Sequence, residues 1–332
     1  MYFINRILLL IVTSLGISFV CFGLTRILPG GPVEQAIQRM SFSGGDTAKG
    51  VSVPPAEVER LKRIYGFDKP FLTQYFSWLW GIVRGDFGDS YTTYRPVLQE
   101  IASKIPISLT FGLTGFILSY LICIPLGIKK ALHNNTKFDT ISSIIIYAGY
   151  SVPGFAMGIL LLVFLGGGSF LDLFPLTDIV SDNHEFLPWY GKIFDYAHHM
   201  ILPVFCYTIQ GFAVLTILMK NSLIDELNKD YIRTSIAKGQ SYRVVVFKHA
   251  LRNALIPITT GIGTIFSVFF AGSILIEKVF TIPGMGLLSF NAINGSDYTV
   301  VLGIVMIASA VNLLGRLFSD IMLIVVDPRI KL

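Results

Sequence analysis

The sequence predicts an all-α, multi-pass membrane protein with six transmembrane helices. Three observations carry this. Of 332 residues, 53% are apolar and only 14% are charged, where a soluble domain carries about 25% charge. Mean hydropathy is +0.66. Six separate stretches each reach the roughly 20 apolar residues that a helix needs to cross a bilayer core about 30 Å thick. A chain so sparsely charged cannot cover itself with a wetted surface. That excludes a soluble enzyme, a disordered tail and a fibrous repeat. The formal charge of +5 says less than the places where the charges fall.

The expected spans are residues 7–28, 105–128, 140–165, 200–219, 254–276 and 299–326. The first runs into Leu28-Pro29-Gly30-Gly31 with no small-x-small cleavage site, so it reads as an uncleaved signal anchor. Short loops set the orientation. Loop 129–139 holds Lys129, Lys130 and Lys137 against Asp139. Loop 220–253 holds Lys220, Lys229, Arg233, Lys238, Arg243, Lys248 and Arg252 against Asp225, Glu226 and Asp230. Loop 166–199 holds Lys192 against Asp172, Asp178, Asp182, Glu185 and Asp195. Positive loops stay in the cytoplasm, so both termini are expected there, in agreement with Arg329 and Lys331 near the C-terminus.

The chain therefore divides into a helix at 1–28, an external segment at 29–104 and a five-span core at 105–332. In the external segment, 42–53 is Gly/Ser-rich. Pro54-Pro55 opens a helix with Val58, Leu61, Ile64 and Tyr65 on one face, stopped by Gly66. A second helical pattern, 71–83, carries Tyr75, Phe76, Trp78, Leu79 and Trp80. Two readings stand for it: a helix lying on the membrane, since Trp and Tyr prefer the headgroup zone, or a small cap packed on helix ends.

Loop 220–253 is too long and too patterned for a turn. Asp230 reads as an N-cap and Tyr231–Lys238 as a short helix with Ile232, Ser235 and Ile236 sharing a face. Gly239 stands where a helix stops in the left-handed conformation. Ser241 reads as the cap of a second helix running through Phe247 and Arg252 towards Pro257. Such a capped amphipathic helix either lies on anionic lipid or offers a small knob to a cytoplasmic partner.

Asp230-Tyr231-Ile232-Arg233-Thr234-Ser235-Ile236-Ala237-Lys238-Gly239, followed by His249-Ala250-Leu251-Arg252-Asn253-Ala254-Leu255-Ile256-Pro257, resembles the coupling segment of ABC importer permeases of the dipeptide/oligopeptide class. Tyr65-Gly66-Phe67-Asp68-Lys69-Pro70, Gly85-Asp86-Phe87-Gly88-Asp89-Ser90, Ile282-Pro283-Gly284-Met285-Gly286 and Asp327-Pro328-Arg329 resemble the same class, in the expected order over nearly the whole chain. Within it, Pro29-Gly30-Gly31-Pro32-Val33, Phe170-Leu171-Asp172-Leu173-Phe174-Pro175-Leu176 and Leu187-Pro188-Trp189-Tyr190 look most like the branch that imports peptides and the peptide-nucleotide antibiotic microcin C. There are departures. Arg233-Thr234-Ser235 stands where the general motif has Glu-Ala-Ala, and Gly239 to Pro257 is a longer interval than that motif has.

The resemblance implies the type I importer architecture in the bacterial inner membrane. It implies that Tyr231, Ile232, Arg233, Thr234, Ser235, Ile236, Ala237, Lys238 and Gly239 form the docking helix for an ATPase. Its implied partners are a second homologous permease, separate or fused ATPase domains that bind ATP and Mg, and a periplasmic peptide-binding protein. No nucleic acid is implied. The chain itself is expected to hold no cofactor and no catalytic residue. A P-loop needs GxxxxGK[ST], and the only Gly-Lys pair, Gly191-Lys192, is followed by Ile193.

Two other classes compete with this reading. An ion-driven carrier usually keeps acids or histidines in mid-membrane, yet spans two, three and four contain no Asp, Glu, Lys, Arg or His. Arg316 and Asp320 share a face of span six and read as a structural pair. An intramembrane serine protease would pair Ser151 with His198 or His199. The simpler reading makes Gly149, Pro153 and Gly154 a kink or close-packing point, with Ser151 bonded to its own helix. The two histidines read as interfacial, with no metal site. Cys21, Cys123 and Cys206 lie in apolar runs and read as packed hydrophobes. For the translocation pathway the candidates are Thr260, Thr264, Ser267 and Glu277. The hydroxyls either line a wet cavity or bond their own backbone. Glu277 either faces the pathway or forms a solvated pair with Lys278.

Overall fold

The computed structural model describes residues 2–27, 31–42, 54–64, 67–168, 170–261 and 273–326. Most of the described residues are helical, with two isolated β-bridges among the rest. The helices are α1 (Tyr2–Ile27), α2 (Pro32–Phe42), α3 (Pro55–Ile64), α4 (Phe71–Val83), α5 (Val97–Leu132), α6 (Lys137–Ser151), α7 (Gly154–Leu165), α8 (Trp189–Leu227) and α9 (Asp230–Ala237). Then follow α10 (Tyr242–Val244), a π-helical turn (Val245–Ala250), α11 (Leu251–Ala254), α12 (Ile256–Thr260), α13 (Ile274–Val279), α14 (Met285–Asn294) and α15 (Tyr298–Val326). The chain forms two compact units, Met1–Lys104 with Leu288–Ala310, and Ile105–Leu287 with Val311–Leu332.

Among the described residues four helices are long and apolar enough to cross a bilayer unbroken: Arg6–Ile27, Val97–Leu132, Trp189–Leu227 and Tyr298–Met322. Exposed Leu8, Val12, Val20 and Leu24 run down α1, as a helix surrounded by lipid requires. The single span expected over 140–165 needs correction. It is a pair, α6 and α7, bent by 94°. Val152 is extended, with φ −94° and ψ 121°, the conformation a following proline imposes. Just after the break Gly154 meets α8 so closely that a Cβ would lie 2.8 Å from the Cys206 carbonyl oxygen. Gly154→Leu is therefore expected to push the bend off α8 and to cost about 1–3 kcal/mol as overpacking, read as a lower thermal unfolding midpoint in detergent. The span expected over 254–276 includes residues 262–272, which lie outside the described residues.

In the first unit Phe22, Tyr75 and Leu302 form a buried cluster. Beside it the carboxylate of Asp297, fully buried, caps the start of α15. It accepts from the Ser90 hydroxyl at 2.6 Å, the Thr92 hydroxyl at 2.9 Å and the Thr92 N–H at 3.1 Å. Buried acids need such partners. In the second unit one core joins Phe111, Met200, Cys206, Ile276, Phe280 and Ile282. A second joins Ala131, Met219, Leu223, Ile232, Val245, Ala250, Ala254 and Ile258. The three cysteines are free thiols, with Cys123 and Cys206 buried.

Candidate coupling surface

Helix α9 is short, so nothing in its own hydrogen bonding would keep it folded alone. Its position comes from two anchors. Ile232 is 2% exposed and packs into the second core against Leu223, Val245 and Ala250. One residue earlier, the Tyr231 hydroxyl donates to Glu226 Oε2 at 2.6 Å and accepts from Asn253 Nδ2 at 3.1 Å. Lys229 Nζ pairs with the other Glu226 oxygen. Burial first, and then the Glu226 carboxylate, push the Tyr231 phenol up from its ordinary value. The end of α8, the start of α9 and the helix after the π-turn are thus pinned at one phenol.

The N-cap position falls to Lys229, which is extended; Asp230, expected as the cap, is instead the first helical residue. Its carboxylate is 96% exposed, lies 3.7 Å from Arg233 Nη1 and adds its charge to the helix dipole. The other end follows the sequence. Gly239 has φ +80°. Its N–H donates to the Ile236 carbonyl at 2.9 Å, and the Gln240 N–H reaches the Ser235 carbonyl at 3.4 Å. This is a Schellman stop. The hydroxyls of Thr234 and Ser235 bond back to Asp230 and Tyr231 carbonyls.

What remains outward is a knob of Arg233, Thr234, Ile236, Ala237 and Lys238, all exposed. The shared face expected for Ile232, Ser235 and Ile236 splits: Ile232 goes inward while Ile236 stays 49% exposed. A Cβ on Gly239 would meet nothing within 4 Å. Tyr231→Phe removes the hydroxyl that joins Glu226 to Asn253. It is expected to cost about 1–2 kcal/mol, and hydrogen exchange confined to residues 230–239 should speed up roughly tenfold if that cost falls on α9.

Beside the core that receives Ile232 lies an ion cluster built from charges expected only to mark a cytoplasmic loop. Lys130 is fully buried and sits 2.9 Å from Asp139 Oδ1. It donates to the Asp139 carbonyl at 2.7 Å and to the hydroxyls of Ser142 at 2.7 Å and Ser143 at 2.8 Å. Lys220 donates to Asp139 Oδ2 at 2.7 Å. The cluster ties α5, α6 and α8 beside the core that receives Ile232. Asn253 and Glu226 were likewise not singled out. Asn253 lies inside the His249–Pro257 motif, and Glu226 stands five residues before Tyr231, so both were within sight of the segment.

Of the pathway candidates, Thr264 and Ser267 lie outside the described residues, and Thr260 is described only as the last residue of α12. Glu277 is not a solvated partner of Lys278. It is 2% exposed and its two oxygens accept from the N–H groups of Gly286 at 3.3 Å and Leu287 at 2.6 Å, at the start of α14. Burial raises its carboxyl above the usual range, and the two amides only partly offset this. A Cβ on Gly284 would lie 2.7 Å from the Glu277 carboxyl carbon, which is why that turn needs glycine.

The Ser151 hydroxyl donates to the Tyr147 carbonyl at 2.7 Å, bonding its own helix. His198 Nε2 lies 2.9 Å from the Leu173 carbonyl oxygen, and His199 Nδ1 lies 2.8 Å from that of Asp195. Asp195, one turn ahead of His199, also holds the Ser181 hydroxyl at 2.5 Å and His184 at 2.7 Å. Among the described residues no group of three His, Cys, Asp or Glu is arranged to hold a metal.

Residues 123–332 match the family described as the binding-protein-dependent transport system inner membrane component. The chain is similar to the inner membrane ABC transporter permease protein YejB of Escherichia coli O157:H7, with 42% identity over 99% of this chain and 98% of that protein. It is similar to the peptidoglycan transport system permease protein YejB of Agrobacterium fabrum, with 40% identity over 99% of this chain and 97% of that protein. It is also similar to the oligopeptide transport system permease protein AppB of Bacillus subtilis, with 34% identity over 99% of each. A multi-pass apolar fold, a capped knob held on its helices and these full-length likenesses place the chain in the family of binding-protein-dependent transport system inner membrane components, as an ABC-type permease.

Proposed function

We propose that this chain is the transmembrane permease subunit of an ATP-driven peptide importer in the bacterial inner membrane, with both termini cytoplasmic. The observation that carries this is α9: a two-turn helix with an exposed knob, capped by a glycine at φ +80° and fixed to the spans through Ile232 and Tyr231. In this reading the knob sits in a cleft of an ATPase partner that binds ATP and Mg. Closure of two ATPase halves moves two coupling helices, and the spans rock from external to cytoplasmic access.

The substrate class is short peptides, including peptide conjugates such as microcin C and peptidoglycan-derived peptides. Similarity to the oligopeptide permease of B. subtilis and the peptidoglycan permease of A. fabrum supports the oligopeptide and peptidoglycan parts of that range. A second homologous permease completes the pathway, and a periplasmic binding protein delivers the peptide. Among the described residues the pathway candidate is Glu277, which fixes the turn into α14.

The test is uptake of a labelled tripeptide by proteoliposomes holding the purified complex and its binding protein. Uptake that requires Mg-ATP and persists with a protonophore is expected. Uptake driven by a proton gradient without ATP would overturn the proposal.

A further inference from the structure

Helix α4, Phe71 to Val83, contains no charged residue and presents three different faces. The first packs on α1. Phe22, fully buried, meets Tyr75 at 5.7 Å and Trp78 at 5.2 Å between ring centroids. Tyr75 is 4% exposed; its hydroxyl pairs with the Ser18 hydroxyl at 2.8 Å and reaches the Leu15 carbonyl at 3.3 Å. The second face is an apolar stripe. Leu72, Phe76, Trp80 and Val83 recur at helical spacing and are 56%, 61%, 58% and 70% exposed. The third follows on the flank, about 100–140° round from Leu72 at 100° per residue: Thr73, Ser77 and, just past the end, Arg84, all exposed.

The contacts on α1 fix the depth. They run from Leu15 to Gly23, while α1 ends at Ile27. At 1.5 Å rise per residue, Ser18 lies about 13 Å and Phe22 about 7 Å below that end. A bilayer core is about 30 Å thick, so α4 crosses α1 inside the leaflet nearer Arg26. At that level α1 also exposes Phe19, Val20 and Leu24, and the stripe on α4 continues this surface. Arg84 lies over the Trp80 ring at 4.8 Å, and Arg26 lies over the Phe67 ring at 4.1 Å. Arg84, exposed at the end of α4, is placed to reach headgroup phosphates past the apolar body of the helix, while Arg26 is held between the Phe22 and Phe67 rings.

We infer that α4 is an interfacial helix embedded in one leaflet, with phospholipid acyl chains covering Leu72, Phe76, Trp80 and Val83. Its polar flank, Thr73, Ser77 and Arg84, faces the headgroups. A helix apolar over two faces and polar on the third is built to lie in that plane. Segment 29–104 is then not a purely aqueous domain, and the α1–α4 pair is a lateral anchor.

The chain has three tryptophans, so Trp78→Phe with Trp189→Phe leaves Trp80 as the one tryptophan of this chain, and subtracting the emission of the matched complex that also carries Trp80→Phe isolates its signal from that of the bound partners. The protein is purified from native membranes with its bound partners and reconstituted in phospholipid nanodiscs. Lipids brominated at acyl carbons near the headgroup are expected to quench Trp80 emission at least twofold, while aqueous iodide leaves it unchanged. Quenching by iodide but not by bromolipid would place the stripe in water and overturn the inference. Quenching by neither would mean that a partner protein covers it, and would overturn it equally. Because Trp78 packs on Phe22, a nitroxide on Phe76→Cys, with Cys21, Cys123 and Cys206 replaced by Ala, gives an independent reading. Greater collision with oxygen than with a water-soluble nickel chelate is expected. The reverse order, or low access to both, would contradict lipid contact.

Discussion

Gly239→Trp is expected to abolish peptide uptake while leaving membrane insertion and the thermal unfolding midpoint close to wild type. Two effects add. At φ +80° any side chain strains the backbone by about 1–2 kcal/mol, which loosens the Schellman stop at the end of α9. The indole also projects from the edge of the exposed knob, where nothing in this chain lies within 4 Å of a Cβ, so it is free to obstruct a docking partner. Gly239→Ala separates the two. It carries the strain without the bulk, so roughly five- to tenfold weaker coupling is expected, against a near-complete loss for Trp. Initial rates of ATP-dependent uptake at matched permease content check the order. Equal rates for Gly and Trp would remove α9 from the mechanism.

Asp139→Asn is expected to be the most destabilising single change near the knob. Among the described residues Asp139 is the acid paired with both Lys130, which is fully buried, and Lys220, which is 17% exposed. Neutralising it leaves two ammonium groups facing each other with no counter-charge. Breaking a buried pair from one side costs about 3–5 kcal/mol. Lys220→Met leaves the Lys130–Asp139 pair intact at a more exposed position and is expected to cost about 1–2 kcal/mol. Thermal unfolding in detergent ranks the variants. A midpoint for Asp139→Asn equal to that of Lys220→Met would refute the ranking. The cluster also bears on coupling: Lys130 adjoins Ala131 and Lys220 adjoins Met219, both in the core that takes Ile232. The core that holds α9 is thereby joined to the ends of α5, α6 and α8.

Local signals in the sequence were read well. Pro54-Pro55 marks the start of α3, the aromatic run 71–83 coincides with α4, and Lys238-Gly239 ends α9, because each is settled by a residue's own φ, ψ or period. Features set by distant partners were not. Lys130 looks like a topology charge until Asp139 and Lys220, 81 residues apart, close on it. The kink at Val152-Pro153 was visible, but its size depends on Gly154 seating against the Cys206 carbonyl on another helix. Nothing in Val245-Val246-Phe247-Lys248-His249-Ala250 announces a π-turn. For the site, the segment 231–239 was legible as a unit. The division of labour inside it, with Ile232 and Tyr231 as anchors and Arg233, Ile236 and Lys238 outward, needed the core and Glu226 in place.

The central claim is that α9 docks an ATPase. The most direct measurement is affinity purification of the wild-type chain and Gly239→Trp from native membranes in mild detergent, with the bound proteins identified. Wild type is expected to carry an ATPase and a second multi-pass permease, and Gly239→Trp to lose the ATPase while keeping the permease. An ATPase retained equally by both, or absent from the wild type across several detergents, would contradict the account.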